Sequence, residues 1–444
     1  MAYFLFILVN AALFIRPAEI VPELLGWEIY FYLILACSAA AAPDVLKYLT
    51  EDSLDKKPIT LTVFAMLPAI VLPAMLTGDL AEAWRTVFHF VKIIVYYLLF
   101  VSLVNTALRL RILLTCILAF SGIITSLAVL RYHDIIHLAT IQTLADTTQG
   151  MYGTTVTIQR LQGTGIFHDP NELCVLLSAM VPLALYFLLT SDHLYLRGVC
   201  AALLPLFAYA VFLTGSRGGF LAFAGGLGAF VWIRYGWQKA MLIGAVGLPA
   251  LLILFAGRQT EISTSTGTAQ TRVELWREWL TTWRENMFFG KGMNLPKEEA
   301  PDPLKYKTDL DRQHVAHNSY LQAFADLGLF GGCLFIGAFV TAFWSLYRFA
   351  DPDPLWLDDE LREMHPHLLA GLTAYGIGML SLSICYIVPT YMMLGLAVGY
   401  ADAAKRSTVT PPTPLQFDLP LIARFLAAGV IALCSIYVFV RFVA

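Results

Sequence analysis

Four short polar segments interrupt an otherwise apolar sequence, and their residue types suit anion binding and the activation of a hydroxyl group. The first is Thr214–Gly219, TGSRGG. Its glycines let the backbone approach a ligand closely, and the free N–H groups of the following helix attract negative charge. Arg217 adds a planar guanidinium suited to phosphate oxygens, and Ser216 beside it is a substrate-binding candidate. A snorkelling membrane anchor is the alternative for Arg217.

The second segment is predicted to form an amphipathic helix at about 269–285. Its apolar residues recur at helical spacing, opposite a charged face: Val273, Trp276, Trp279, Leu280 and Trp283. This pattern is typical of a helix at the bilayer surface, with tryptophans at headgroup level. Arg272 lies one turn before Trp276 and is either an anion-binding residue or an interfacial anchor.

The third segment is His317–Gly328, HNSYLQAFADLG, in which a short helix is predicted to follow His317 and to end at the glycine. A helix N-terminus disfavours imidazolium, so a neutral His317 can accept a proton. Asn318 and Ser319 can cap the first turn or bind polar groups of a substrate. The alternative is that His317 only caps a re-entrant turn.

The fourth segment is Gly165–Leu173, GIFHDPNEL. Asp169 followed by proline predicts a helix cap, with Asn171 and Glu172 in the first turn. A carboxylate is costly at membrane depth unless it is paired, so Glu172 is expected to meet an arginine. Asp169, Asn171 and Glu172 are further substrate-binding candidates.

Two histidine groups raise the question of a metal. His314 and His317 lie near Asp309 and Asp311, and His133 and His137 are four residues apart. Neither group has the fixed spacing of a familiar metal site. The sequence predicts no metal and no other cofactor.

The composition defines the elements that must position these segments. Of 444 residues, 58% are hydrophobic and only 14% are charged, against about 25% in a typical soluble protein. The net charge of −3 offers no basic field for nucleic acid. We therefore expect an all-α polytopic membrane protein, with 1–444 forming a single integral membrane domain.

Hydropathy predicts 12 or 13 transmembrane helices, because two of the apolar stretches are short. The stretches lie near 2–16, 26–43, 59–77, 87–108, 112–130, 171–190, 197–213, 218–233, 240–256, 328–347, 368–388, 390–402 and 421–441.

Lysine and arginine set the predicted orientation. With the N-terminus inside, the inner loops hold 13 of these cations and the short outer loops hold 5. The inner ones are Lys47, Lys56, Lys57, Arg109, Arg111, Arg197, Arg234, Lys239, Arg348, Arg362, Lys405, Arg406 and Arg424. The polar segments then fall on the outer side, two of them in one long extracytoplasmic loop, 257–327.

The polar segments together resemble the O-antigen ligase and polymerase superfamily of bacterial polyprenyl-linked glycan transferases. The resemblance rests on GIFHDPNEL, TGSRGG and HNSYLQAFADLG, together with TRVELW at Thr271–Trp276 and FGKG at Phe289–Gly292. These motifs are spread over roughly 160–335 in the expected order. The N-terminal third matches only in hydropathy and in the pair Arg16-Pro17.

The resemblance implies a multi-pass enzyme of the bacterial inner membrane with its active site facing the periplasm. It implies an undecaprenyl-diphosphate-linked glycan donor whose diphosphate is held by Arg217 and Arg272. His317 would activate an acceptor hydroxyl, without metal and with inversion at the anomeric carbon. The acceptor, a glycolipid, a glycan or a protein, stays open, and so does the choice between ligase and polymerase.

A secondary transporter or flippase for lipid-linked saccharides is the alternative from another class. Transporters place ionisable groups near the bilayer midplane. The predicted spans contain very few, chiefly His89 and Lys92. The outer position of the candidate residues favours an enzyme.

Overall fold

The computed structural model describes residues 1–24, 26–137, 143–149, 155–254, 268–293, 315–350 and 356–443. Within these ranges the regular structure is helical apart from one antiparallel hairpin. Its strands are β1 (Leu144–Gln149) and β2 (Thr155–Arg160), and Leu144 pairs with Arg160. The expected all-α polytopic architecture is confirmed.

The described ranges contain fifteen α-helices. They are α1 (Ala2–Ile15), α2 (Pro17–Ile20), α3 (Ile29–Glu51), α4 (Pro58–Leu76), α5 (Leu80–Leu103), α6 (Ala107–Tyr132), α7 (Pro170–Thr190), α8 (Leu194–Thr214), α9 (Arg217–Tyr235), α10 (Trp237–Leu254), α11 (Thr268–Glu285), α12 (Ser319–Tyr347), α13 (Asp359–Gly378), α14 (Val388–Arg406) and α15 (Leu419–Val443).

Nine helical segments of the described part are long and apolar enough to cross a membrane, which makes this a multi-pass membrane protein. They are the segment Ala2–Ile20, which joins α1 and α2, then α3 to α8, α12 and α15. The four other predicted spans overlap α9, α10, α13 and α14.

The predicted span at 368–388 has the wrong bounds, because α13 runs from Asp359 to Gly378. Its first turns are too polar for a hydropathy window to include. Glu363 pairs with Arg234 at 2.6 Å and Glu360 pairs with Arg111 at 2.7 Å. These ion pairs stabilise a charged helix start that sequence hydropathy assigns to a loop.

The chain divides into two compact units of interleaved segments. The first unit contains Met1–Ala40, Thr106–Glu261 and Leu355–Gly378. In it α13 packs on α7 and α9, and α1 packs on α6. A Cβ atom at Gly226 of α9 would lie 2.8 Å from Cβ of Ala374 in α13. Such small residues let membrane helices approach closely.

The second unit contains Ala41–Asn105, Ile262–Pro354 and Met379–Ala444. Its centre is α12, which packs on α4, α14 and α15 and also receives α11. Gly337 of α12 lies so close to Phe425 of α15 that a Cβ atom there would be 2.4 Å from the ring. The helix that follows His317 is therefore the core of this unit.

Candidate active site

In the first unit, the carboxylate of Glu19 connects the GIFHDPNEL segment to the N-terminal helices. Glu19 is 8% exposed and accepts a hydrogen bond from the Gly165 backbone N–H at 2.7 Å. Arg16 Nη1 lies 2.8 Å from Oε1 of Glu19, and His168 Nε2 lies 3.2 Å from Oε2. Arg16 has a left-handed backbone, with φ at 49°, which turns the chain from α1 into α2.

Arg160, at the end of β2, joins two of the predicted polar segments. Its Nε donates to the Thr214 carbonyl at 2.7 Å, and its Nη2 donates to Oδ1 of Asn171 at 2.9 Å. Asn171 in turn donates from its backbone and side-chain nitrogens to Oδ1 of Asp169, at 2.7 and 2.8 Å. The start of α7 and the turn between α8 and α9 are therefore neighbours.

The TGSRGG turn places Arg217 as the first residue of α9, where free backbone N–H groups add positive potential. Ser216 caps this helix, because its Oγ accepts from the Gly219 N–H at 3.1 Å. A Cβ atom at Gly219 would lie 2.2 Å from Sγ of Cys174, so the helix start is pressed against α7. Arg217 and Glu172 both stay half-buried.

The second unit fixes the backbone on both sides of His317. Nε1 of Trp276 donates to the carbonyl of the fully buried Ala316 at 2.8 Å. On the other side, Oδ1 of Asn318 accepts from the backbone N–H groups of Tyr320 and Leu321, at 3.1 and 3.0 Å. His317 itself has a left-handed backbone, with φ at 47°.

Ser319 and Asn318 are both buried, and the protein's own backbone uses the Ser319 hydroxyl and the amide oxygen of Asn318, whereas Nδ2 of Asn318 has no hydrogen-bond partner among the described residues. The Ser319 hydroxyl donates to the Leu382 carbonyl at 2.6 Å and accepts from the Ile384 N–H at 2.9 Å. Both side chains therefore position His317, whatever else they bind.

Helix α11 carries Arg272 one turn before Trp276, with the arginine half-buried. Part of the apolar stripe of this helix, Val273, Trp279 and Leu280, is buried in the protein. Trp276 therefore connects the helix that bears Arg272 to the backbone that bears His317.

The FGKG and ADLG motifs form one backbone-bonded crossing. Helix α12 is broken at Gly328, with φ at 66° and ψ at −166°, which confirms that the short helix after His317 ends there. The N–H groups of Lys291 and Gly292 donate to the carbonyls of Ala325 and Asp326, each at 2.9 Å. Added Cβ atoms at Gly290 and Gly328 would each lie 2.2 Å from a backbone oxygen across this crossing.

A buried polar face runs along α12 from Asn318 to the break. Asn318, Gln322 and Asp326 are four residues apart and so share one side of the helix. Gln322 and Tyr386 face the carboxylate of Asp326, which Lys291 also attracts. Among the described residues, Oδ1 of Asp326, Oε1 of Gln322 and the Tyr386 hydroxyl have no hydrogen-bond partner.

The structure thus distributes the predicted site residues over the two units. Ser216, Arg217, Asp169, Asn171 and Glu172 lie in the first unit. Arg272, His317, Asn318 and Ser319 lie in the second. His314, Asp309 and Asp311 lie outside the described residues. In the described part of the chain, no three His, Cys, Asp or Glu side chains are grouped as metal ligands.

Sequence reasoning missed three residues that organise these segments. Glu19 and Arg160 are single charges without a motif of their own. Trp276 was predicted as part of the apolar stripe of α11 and of the TRVELW motif, without a hydrogen-bonding role. Its indole N–H donates to the Ala316 carbonyl, a contact that the spacing of residue types cannot predict.

Residues 200–336 match a family model described as O-antigen ligase. This segment is an O-antigen ligase domain. The resemblance drawn from the motifs is confirmed, and the protein has a role in surface polysaccharide assembly. The O-antigen ligase domain includes the TGSRGG turn, Arg272 and His317, whereas GIFHDPNEL precedes it. No curated protein matches the chain.

Proposed function

We propose that the protein is a glycosyltransferase that moves a glycan from undecaprenyl diphosphate to an acceptor hydroxyl at the periplasmic face of the inner membrane. The observation that carries this proposal is the fixed placement of His317 in the O-antigen ligase domain. Hydrogen bonds hold the backbone on both sides of it, at the N-terminus of α12. A general base must be held in this way to reach one particular proton.

In the proposed reaction, the imidazole of His317 takes the proton of the acceptor hydroxyl. The acceptor oxygen attacks the anomeric carbon from the face opposite the diphosphate. The bond from that carbon to the diphosphate oxygen breaks, and undecaprenyl diphosphate leaves with the electron pair. This single displacement inverts the anomeric carbon.

Arg217 and Arg272 are proposed to bind the diphosphate and to stabilise the charge that develops on it. Guanidinium groups match phosphate oxygens with paired hydrogen bonds, and they supply this stabilisation without a metal. Arg217 stands at the first residue of α9, so the helix N-terminus adds to its field. Both arginines are half-buried, which strengthens electrostatic attraction relative to bulk water.

The remaining site residues are proposed to bind polar groups of the substrates. Asp169, Asn171 and Glu172 lie at the start of α7, which Arg160 holds beside the turn that carries Ser216 and Arg217. In the second unit, Asn318 and Ser319 keep His317 in place. The acceptor is a glycolipid, a glycan or a protein, and the enzyme is of the ligase or the polymerase type.

The test is glycan transfer by the purified protein and by His317→Ala. Loss of a general base is expected to reduce turnover by about 100-fold or more, while donor binding is retained. His193→Ala is the matched control, because His193 is exposed and caps no helix end with its side chain. Undiminished turnover in His317→Ala would remove the residue from the mechanism.

A deletion strain separates the remaining alternatives. Loss of glycan attachment with intact long chains indicates a ligase, and surface glycans of a single repeat unit indicate a polymerase. Substrate-stimulated transport by the purified protein without glycan transfer would support a flippase instead.

A further inference from the structure

A second candidate binding site lies in the second unit, far from His317. A cavity of about 500 Å³ is lined by residues at the ends of α3, α5, α12 and α14 and at the start of α4. Helix α12 has 29 residues and begins beside His317, and Ser345 near its other end lines the cavity. The part of α12 beyond the break, from Gly328 to Ser345, spans about 25 Å at a rise of 1.5 Å per residue, so the cavity lies well away from the break.

The cavity lining is rich in positive charge. It contains six cations, Lys47, Lys56, Lys57, Arg348, Lys405 and Arg406. It contains four acidic side chains, Asp44, Glu51, Asp52 and Asp402. All six cations lie on the predicted inner side of the membrane.

Two of these cations make no side-chain hydrogen bond within the described residues. Lys405 lies 3.6 Å from Asp402 and Lys56 lies 3.9 Å from Asp52. The Lys57 amine donates to the carbonyls of Tyr48 and Asp52. Among the described residues, the Lys47 amine and the Arg406 guanidinium enter no hydrogen bond and no ion pair within 4 Å, and Arg406 also attracts the carboxylate of Asp402.

Residues 412–415 form one wall of the cavity. Arg348 donates to the Thr413 carbonyl at 2.6 Å and to the Thr413 hydroxyl at 2.7 Å. The Phe417 N–H donates to the Asp55 carbonyl at 2.7 Å. The wall is therefore bonded to the rest of the unit at Thr413 and again just beyond it at Phe417, which gives the cavity a defined shape.

We propose that this cavity binds the phosphate group of an anionic ligand, with Lys47 and Arg406 as its principal cations. Hydrogen bonds between such cations and phosphate oxygens are among the strongest in proteins. Basic pockets between transmembrane helices on the cytoplasmic side are suited to the headgroups of anionic phospholipids. A phospholipid of the inner leaflet and a soluble phosphate ester offer the same chemistry here.

The test uses the full chain in nanodiscs of phosphatidylcholine, with and without phosphatidylglycerol. Retention of phosphatidylglycerol is measured by native mass spectrometry after the discs are removed. We expect Lys47→Gln/Arg406→Gln to retain about tenfold less of this lipid than the unmodified protein. The matched control is Lys239→Gln/Arg424→Gln, which removes the same charge from exposed positions on the same predicted side.

Sodium pyrophosphate added to the phosphatidylcholine discs distinguishes the two sources. A rise in the unfolding temperature that depends on Lys47 and Arg406, without lipid retention, identifies a soluble phosphate as the ligand. Equal losses in the two double variants would mean a general effect of surface charge and would overturn the proposal. Absence of binding in both arms would overturn it as well. Neither outcome bears on His317, because glycan transfer is not the readout.

Discussion

The two units hold their polar motifs by different physical means. In the first unit, the carboxylate of Glu19 and the guanidinium of Arg160 bind the motif segments through side-chain hydrogen bonds. In the second unit, side chains hold the segment around His317, but the FGKG and ADLG motifs are joined by bonds between backbone N–H groups and backbone carbonyls where Gly290 and Gly328 let the two segments touch. We expect the first arrangement to be sensitive to the removal of charge, and the second to the addition of volume.

The difference fits the proposed roles of the two units. Proton transfer requires a base held within a fraction of an ångström, and the backbone crossing that ends the short helix after His317 has no side-chain rotamers to vary. An arginine that attracts a diphosphate works over a longer range. The backbone of the second unit would therefore need to be more rigid than that of the first.

Gly328→Ala is expected to have the largest effect on stability. The new Cβ atom would meet the Phe288 carbonyl oxygen at 2.2 Å, in a backbone conformation that essentially only glycine adopts. The expected loss is about 3 kcal/mol or more, measured as the free energy of unfolding in mixed micelles. Gly228→Ala is the control, because nothing lies within 4 Å of its Cβ position. Equal stability of the two variants would contradict the expectation that the second unit is sensitive to added side-chain volume.

Glu19→Gln is expected to be the most damaging charge removal in the first unit. It weakens the pairing with Arg16 and His168 and the hydrogen bond from Gly165 while leaving the side-chain volume unchanged. Hydrogen bonds to charged groups contribute about 1.5–3 kcal/mol, so we expect a loss of about 2 kcal/mol in the same assay. Glu23→Gln changes an exposed carboxylate nearby and should leave the unfolding free energy unchanged. If both variants are equally stable, the carboxylate does not hold the segment.

Trp276→Phe tests the hydrogen bond that positions His317. The phenyl ring keeps most of the packing but cannot donate to the Ala316 carbonyl. We expect kcat to fall by about tenfold, with little change in KM or in unfolding temperature. Trp232→Phe, at an exposed position of α9, is the control. A loss of stability with unchanged kcat would show that Trp276 only packs.

Arg160→Lys is expected to have the smallest of these effects. Lysine keeps the charge but cannot bridge the Thr214 carbonyl and Asn171 with a planar fork. We expect about 1 kcal/mol of destabilisation and a raised KM for the donor. Arg197→Lys changes an exposed guanidinium that bonds one carbonyl, and it should be neutral. If Arg160→Lys changes neither the stability nor the KM, Arg160 contributes through its charge rather than through the geometry of its guanidinium group.

The sequence predicted the parts of this architecture that depend on local patterns. Apolar stretches located the membrane helices, and a glycine before a new apolar stretch located the break at Gly328. Glycines and an arginine between two spans located the turn that carries Arg217.

The partners of single polar residues could not be predicted in this way. Glu19 bonds a backbone group 146 positions away, and Arg160 bonds one that is 54 positions away. Nothing in the local pattern encodes such pairs, because they depend on how the helices pack. Helix α13 shows the same limit, since its charged start is stabilised by Arg111 and Arg234 from other helices.

The last helix has a consequence for genetics. Helix α15 begins just after Phe417, whose N–H donates to the Asp55 carbonyl beside the cavity, and near its other end the ring of Phe439 lies 5.7 Å from that of Trp276. A premature stop codon shortly before Leu419 would remove this support from the indole that holds the backbone next to His317. Late truncations in this gene should therefore behave as loss-of-function alleles rather than as harmless deletions of a tail.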